Sequence, residues 1–440
     1  ERATHNFAVS GRGLQPQYVR SLGLLKWAAV KANLELGLLP EKLAHVIEEV
    51  AWEVWEGLWQ DQFVTDVYQT GSGTSFNMNA NEVIANMANV RLGGQRGLYS
   101  EVHPNDHVNK GQSSNDVFPT VLHLTVLGAL KDVLRPSLEC LKDELVEKQK
   151  EFEGVVKIGR THLQDATPVK VSQVFGGYIR LVEKGAVALA RAQEALLEVP
   201  IGGTAVGTGI GTHKGFGRRV IDRVTEVTGV KLVVAKSRFE SQGARLGALE
   251  ASGALRSIAL ALGKIGNDIR WLSSGPRLGL GEFQIPSLQP GSSIMPGKVN
   301  PVMAESLLQV VAQIVGYDAT IAWAQQGSQM ELNTMMPLIA WNLMESLRLL
   351  ANATRLFTER CVAGITLNKD HLRERVEQSL ALATALAPVI GYERAASVAK
   401  TAHEKKISVR EAAEQLTSMA SGELNRLLDV SKMLDSSDDG

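Results

Sequence analysis

Leu255, Ile258, Leu262, Ile265, Ile269 and Leu272 follow one another at steps of three and four, which puts all six on one face of a helix of about five turns. A strand, with its period of two, would scatter them over both faces. So long and regular an apolar face is the seam along which helices pack side by side over several turns. Leu127, Leu130, Leu134, Leu138, Leu141 and Leu145 repeat the pattern, with Pro136 expected to kink or interrupt that helix because proline lacks the N–H its turn requires. Residues 172–199, 304–326 and 338–357 predict three more long helices. Most of these Leu and Ile are read as core. Five long helices that are apolar on more than one face still expose more than one chain can cover, so oligomerisation is expected.

The fold class predicted is all-α: a three-domain subunit with a central bundle of long helices. Aromatic residues make up only 5% of the 440, and strand signals are few, the best being the short run Val230–Ala235. Residues 1–112, shorter-ranged and richer in Gly and Asn, form an N-terminal segment. Residues 113–364 form the long-helix segment, and residues 365–440 a small helical one, whose polar, acidic end is expected to fray. With 46 basic and 47 acidic side chains the net charge is -1, which excludes nucleic-acid binding by bulk charge. Cys140 and Cys361 make no disulfide framework or zinc knuckle and suit a reducing compartment. No unbroken apolar run reaches the roughly 18 residues of a membrane span, so a soluble chain without a membrane partner is expected. The start, E-R-A-T-H-N-F, shows no targeting segment. The cytoplasm is the expected location, with the mitochondrial matrix left open.

Four polar islands interrupt the helical background: T-G-S-G-T-S-F-N-M-N-A-N-E-V at 70–83, V-H-P-N-D-H-V-N-K-G-Q-S-S-N-D at 102–116, G-R-T-H-L-Q-D-A-T-P at 159–168 and P-G-S-S-I-M-P-G-K-V-N-P at 290–301. Each is dense in hydroxyls and amides and poor in acids, a donor-rich composition that suits an anion. Taken singly, each reads as caps and turns, with Ser72 or Thr74 capping a helix and Asn77, Asn79 and Asn81 as turn or cap residues. Four in one chain, separated by long helices that can bring their ends together, read as a site. Nucleotide motifs fail: five residues, not four, separate Gly291 from Gly297, and Val299 stands where a phosphate loop needs Ser or Thr. Gly207, Gly209 and Gly211 lack the spacing of a dinucleotide fingerprint. His103 and His107 have metal-ligand spacing, but Pro104 between them argues against one helical face. Neither metal nor cofactor is expected. In the fourth island Ser292, Ser293, Lys298 and Asn300 gather two hydroxyls, a cation and an amide just before a helix starting near Pro301, whose dipole adds to them.

The stretch G-S-S-I-M-P-G-K-V-N-P at 291–301 resembles the signature of the fumarase and aspartase superfamily of lyases, and the other three islands resemble its remaining characteristic stretches in the same order. The resemblance implies a mostly helical three-domain subunit, a homotetramer with a central helix bundle, active sites each shared by three subunits, and a small dicarboxylate substrate. G-Q-S-S-N-D with Ser114, T-H-L-Q-D-A-T-P with Thr167, and G-G-T-A-V-G-T-G at 202–209 are most similar to the class II fumarases. Ser75, Phe76, the Val302–Ala304 stretch and Q-M-E-L-N at 329–333 are mixed in type. The implied activity is reversible anti addition of water to fumarate, giving L-malate, a step of the tricarboxylic acid cycle. Aspartate ammonia-lyase is the alternative, and a non-catalytic helical scaffold a remote one.

That chemistry removes a carbon-bound proton beside a carboxylate and leaves a doubly charged aci-carboxylate. A fixed donor at such a centre lowers a barrier by about 3 kcal/mol, so three or four acting independently would reach about 8 to 12 kcal/mol, which explains why one site draws on several islands. The resemblance implies Ser292 as the base, with the choice between it and Ser293 open, and Lys298 and Asn300, next to Val299, at the carboxylate that takes up charge. Ser72, Gly73, Thr74, Ser113, Ser114, Asn115 and Thr161 would hold the substrate. His162 would handle water or hydroxide, oriented by Glu305. His103, Pro104, Asn105 and Asp106 resemble a second, non-catalytic carboxylate site.

Overall fold

The computed structural model describes residues 1–434; the acidic end expected to fray lies, from Asp435 onward, outside the described residues. Helices dominate, and among the described residues the strands form four two-stranded sheets, so the all-α reading holds. The chain divides into two compact units. One comprises Glu1–Leu138, Gly185–Leu260 and Gln309–Ala353, the other Glu139–Lys184, Ala261–Leu308 and Thr354 onward.

After a short helical turn at Arg2–Asn6 the first unit continues with α1 (Pro16–Glu35) and α2 (Glu41–Glu56), longer than the short-ranged reading of this segment allowed. α1 escaped notice because it is buried nearly all round, so no polar face sets off an apolar stripe. α3 (Thr74–Arg91) and α4 (Ser114–Ala129) follow the first two islands. Tyr18 of α1 packs its ring against Phe76 of α3 and Phe118 of α4, centroids 5.5 and 5.0 Å away, and its hydroxyl donates to the Phe118 carbonyl at 2.7 Å. That contact brings the starts of α3 and α4 together. α4 runs through a π-helical turn, Leu130–Leu134, into α5 (Arg135–Glu151). The interruption precedes Pro136 because the proline ring collides with the carbonyl four residues back, at Asp132, within that wide turn.

The second unit holds an element that the sequence reading missed, the antiparallel hairpin β1 (Val156–Thr161) and β2 (Gln164–Lys170). Its alternation is hidden because an inward position of β1 is Lys157, a charge that is only 4% exposed. The run favoured from sequence supplies only Val233–Val234, paired parallel with Glu198–Val199. Phe152, Phe175, Tyr178 and Phe283 form this unit's aromatic core. α6 (Val171–Ala195), α7 (Leu246–Leu272), α8 (Val302–Ala324) and α9 (Met336–Arg360) complete the long helices. Every residue of the two apolar rows is buried.

Three helical stretches, Ser114–Glu151, Leu246–Leu272 and Val302–Gly327, are long and apolar enough on average to cross a bilayer by length and composition, a correction to the scan for unbroken runs. Their apolar windows are 72%, 50% and 33% buried within the chain itself, so packing accounts for most of the first and least of the last.

Candidate active site

In the first unit the two helix N-termini build a donor cluster. Gly73 is the N-cap of α3 with φ 73°, a left-handed conformation that glycine adopts freely, and a Cβ there would collide with the Phe118 ring. At α4 a capping box forms: Asp116 accepts from the Ser113 N–H at 2.9 Å, while the Ser113 hydroxyl accepts from the Asn115 N–H at 3.2 Å. Between the two caps the hydroxyls of Ser72, Thr74 and Ser114 form a chain with 2.7 Å between neighbours. Asn115 donates its side-chain amide to the Ala205 carbonyl at 2.8 Å. Two helix N-termini beside several hydroxyls make an anion site.

Asp116 extends that cluster to the glycine loop, accepting from the Gly202 and Thr204 N–H groups at 2.9 Å each, while Gln242 donates to the Thr204 carbonyl at 2.8 Å. Beneath it lies a buried amide cage. Lys26 donates to Asn109 and Gln112 at 3.1 and 2.9 Å, and Asn77 and Asn81 also donate to the Asn109 oxygen. Asn77 and Asn81 therefore act inside α3 as struts to the second island, not as the caps or turns their composition suggested. Sequence reasoning passed over Lys26 and Asp116. The signal for the first was a lone cation inside L-G-L-L-K-W-A-A-V, and for the second the Ser113-x-x-Asp116 capping spacing.

Burial pushes the Lys26 ammonium down to about 7, against the attraction of Asp116, and pushes the Asp116 carboxyl up to about 6 despite its three N–H partners. A lysine depressed in the folded state contributes stability that is present above its unfolded value and lost as pH falls towards the folded one. Between pH 9.5 and 8, inside that window, Lys26 is expected to cost the protein about 2 kcal/mol. Denaturant unfolding at both pH values should show that slope in the parent and its absence in Lys26→Met. Equal slopes would mean that Lys26 keeps its proton in the folded state over this range.

His103, Pro104, Asn105 and Asp106 occupy a π-helical turn, Pro104–Val108, with its cap. His103 Nδ1 accepts from the Asp106 N–H at 3.3 Å and lies 3.2 Å from the Asp106 carboxylate. His107 Nδ1 accepts from the His103 N–H at 2.9 Å. Asn105 and Asp106 border an open cavity of about 600 Å3 whose wall includes Lys110, Gln112, Ser113 and Ala205. The proposed second site thus opens beside the residues that carry the hydroxyl chain.

The second unit presents the other islands. Thr161 pairs with Gln164 across β1 and β2, which leaves His162 and Leu163 as a two-residue turn with φ 55° and 60°. Such turns favour Asn-Gly because both central residues need positive φ. Holding His and Leu there costs about 1–3 kcal/mol each, and His162 is exposed at the tip. In the fourth island Ser292 Oγ accepts from the Ile294 and Met295 N–H groups at 3.2 and 3.1 Å. The adjacent Ser293 has no such pair among the described residues. Asn300 donates its amide to the Gly291 carbonyl at 2.7 Å and closes the loop. Lys298, Val299 and Glu305 are exposed. Among the described residues His162 and Glu305 form no ion pair within the subunit.

Against known families, residues 1–316 match the one described as Lyase and residues 382–435 the one described as Fumarase C C-terminus. A fumarate hydratase class II of Nitrosomonas europaea is 46% identical over 433 residues, 98% of this chain and 94% of that protein. One of Mycobacterium tuberculosis is 50% identical over 412 residues, 93% of this chain and 85% of that protein. The crystal structure of recombinant class II fumarase from Schistosoma mansoni superposes with a TM-score of 0.96 at 38% identity, over 98% of this chain and 94% of that one.

Proposed function

This chain belongs to the lyase family that includes the class II fumarases, and from that membership we infer that it is a fumarate hydratase, interconverting fumarate and L-malate. The observation that carries the mechanism is the pair of backbone N–H groups on Ser292 Oγ. A serine hydroxyl is a weak base because its alkoxide is unstable. Two N–H donors stabilise that alkoxide and lower the cost of forming it, and the charge of Lys298, in the same loop, adds to them. This supports Ser292 over Ser293 as the group that takes the proton from carbon.

Lys298 and Asn300 bind the carboxylate that becomes the aci-carboxylate. Because one amide hydrogen of Asn300 closes its own loop, a second remains for substrate. The Ser72, Thr74, Ser114 and Asn115 cluster, with Gly73, Ser113 and Thr161, holds the dicarboxylate through neutral donors. His162 moves the proton of the leaving or attacking water and is oriented by Glu305. Since His162 and Glu305 do not pair within one chain, we assign their pairing to different subunits of a homotetramer of three-domain subunits. Exposed apolar side chains on two long helices support assembly, Leu260 at 52% and Trp323 at 71% exposure among them. Both cysteines are free thiols, which supports a cytoplasmic location.

Following the ultraviolet absorbance of fumarate with L-malate and L-aspartate offered separately tests the reading. Absorbance is expected to rise with malate alone. A rise with aspartate instead would make the protein an ammonia-lyase, and no rise with either would leave it a scaffold.

A further inference from the structure

At the stem of the His162 hairpin sits a buried charge cluster with no part in the chemistry above. Lys157 Nζ lies 3.2 Å from Glu282 Oε2, and Arg160 Nη1 lies 2.6 Å from Glu282 Oε1. Glu282 is 1% and Lys157 4% exposed. Arg160 stands two residues before His162 and reaches outward to Asp165 of β2, 3.7 Å away. Neither Glu282 oxygen nor Arg160 Nη1 has an aligned hydrogen bond, so these contacts act through charge. Glu282 is itself pinned by its backbone: its N–H donates to the Leu272 carbonyl at 2.9 Å and its carbonyl accepts from the Asn368 N–H at 3.0 Å. Phe283, the next residue, enters the aromatic core, and the chain then runs on to the loop of Ser292.

We propose that Glu282 is a positioning residue, which grips the β1 stem through Lys157 and Arg160 and thereby holds the strained His162–Leu163 turn in its working pose. The inference rests on the reading of His162 as the group that serves the water. A buried ion cluster is a poor source of stability, since well-packed apolar side chains of the same volume do as well or better. Here two cations share one carboxylate, and burial together with Arg160 draws the Lys157 ammonium down against the pull of Glu282. What the arrangement supplies instead is geometry. The turn it supports holds two non-glycine residues at positive φ, and such strain persists only where the surrounding structure over-determines it. Release of the stem lets the turn relax and His162 swing away, while the donors that bind substrate elsewhere stay in place.

The test separates positioning from stability and begins with parent enzyme shown to hydrate fumarate, so that failure of the functional reading is recognised first. Glu282→Gln strands two cations and is expected to lower both the melting temperature and kcat. Adding Lys157→Met removes a cation as well and should return the melting temperature to within a few degrees of the parent. In that double variant kcat is expected to stay at least ten-fold down with KM within about two-fold of the parent. Recovery of kcat along with the melting temperature would overturn the proposal, because Glu282 would then serve folding alone. Arg160→Met, at the margin of the cluster, carries the test should the double variant not fold. It is expected to lose at least ten-fold in kcat, and parental kcat there would also overturn the inference.

Discussion

Replacing Ser292 by alanine is expected to lower turnover about 10^3-fold, roughly 4 kcal/mol in the barrier, with KM changed little. The physical reason lies in the loop 291–300. Gly291 and Asn300 close it, and within it the Ile294 and Met295 N–H groups point at one oxygen. Removing that oxygen deletes the base and leaves the donors, Lys298 and the substrate carboxylate contacts intact, so binding survives while proton removal does not. Ser293→Ala, one residue on, should retain most activity because its hydroxyl lacks the paired donors. A steady-state comparison of the two variants decides the matter: equal losses would remove Ser292 from the role of base.

Replacing His162 by asparagine is expected to cost about 10^2- to 10^3-fold in kcat while making the hairpin more stable. The two effects have separate origins. Catalytically, an amide cannot exchange a proton near neutral pH, so the acid-base contribution of the imidazole is lost. Structurally, position 162 holds φ 55°, and asparagine tolerates that left-handed conformation better than histidine. The melting temperature should therefore rise or hold as turnover falls. The pH–rate profile supplies the check. If the variant keeps the parental profile, His162 takes no part in proton transfer.

How much of this was readable beforehand depends on the range of the interactions involved. The apolar rows of α4–α5 and of α7 were legible because an apolar period is local, and the donor islands were legible because their composition is. That Thr74 and Ser114 share a hydrogen bond was not, since they stand in different islands; their meeting depends on Tyr18 packing between Phe76 and Phe118. The hairpin that carries the third island went unread for a further reason. Lys157 breaks the alternation of its strand, and only the distant Glu282 makes that lysine tolerable there.

The order of residues by itself determined the helical class, the family and the four donor-rich segments, because helix period, capping chemistry and motif spelling all lie within a few consecutive residues. Only the tertiary structure decided which hydroxyl of the Ser292–Ser293 pair carries backbone donors, that Lys26 and Asp116 are fully buried, and that His162 rides on a strained turn. The burial of Lys26 and Asp116 is set by segments far along the sequence, a contact that leaves no period or composition for a local reading to find; the Ser292 donors and the His162 turn are local, but they depend on backbone angles that residue order alone does not spell out.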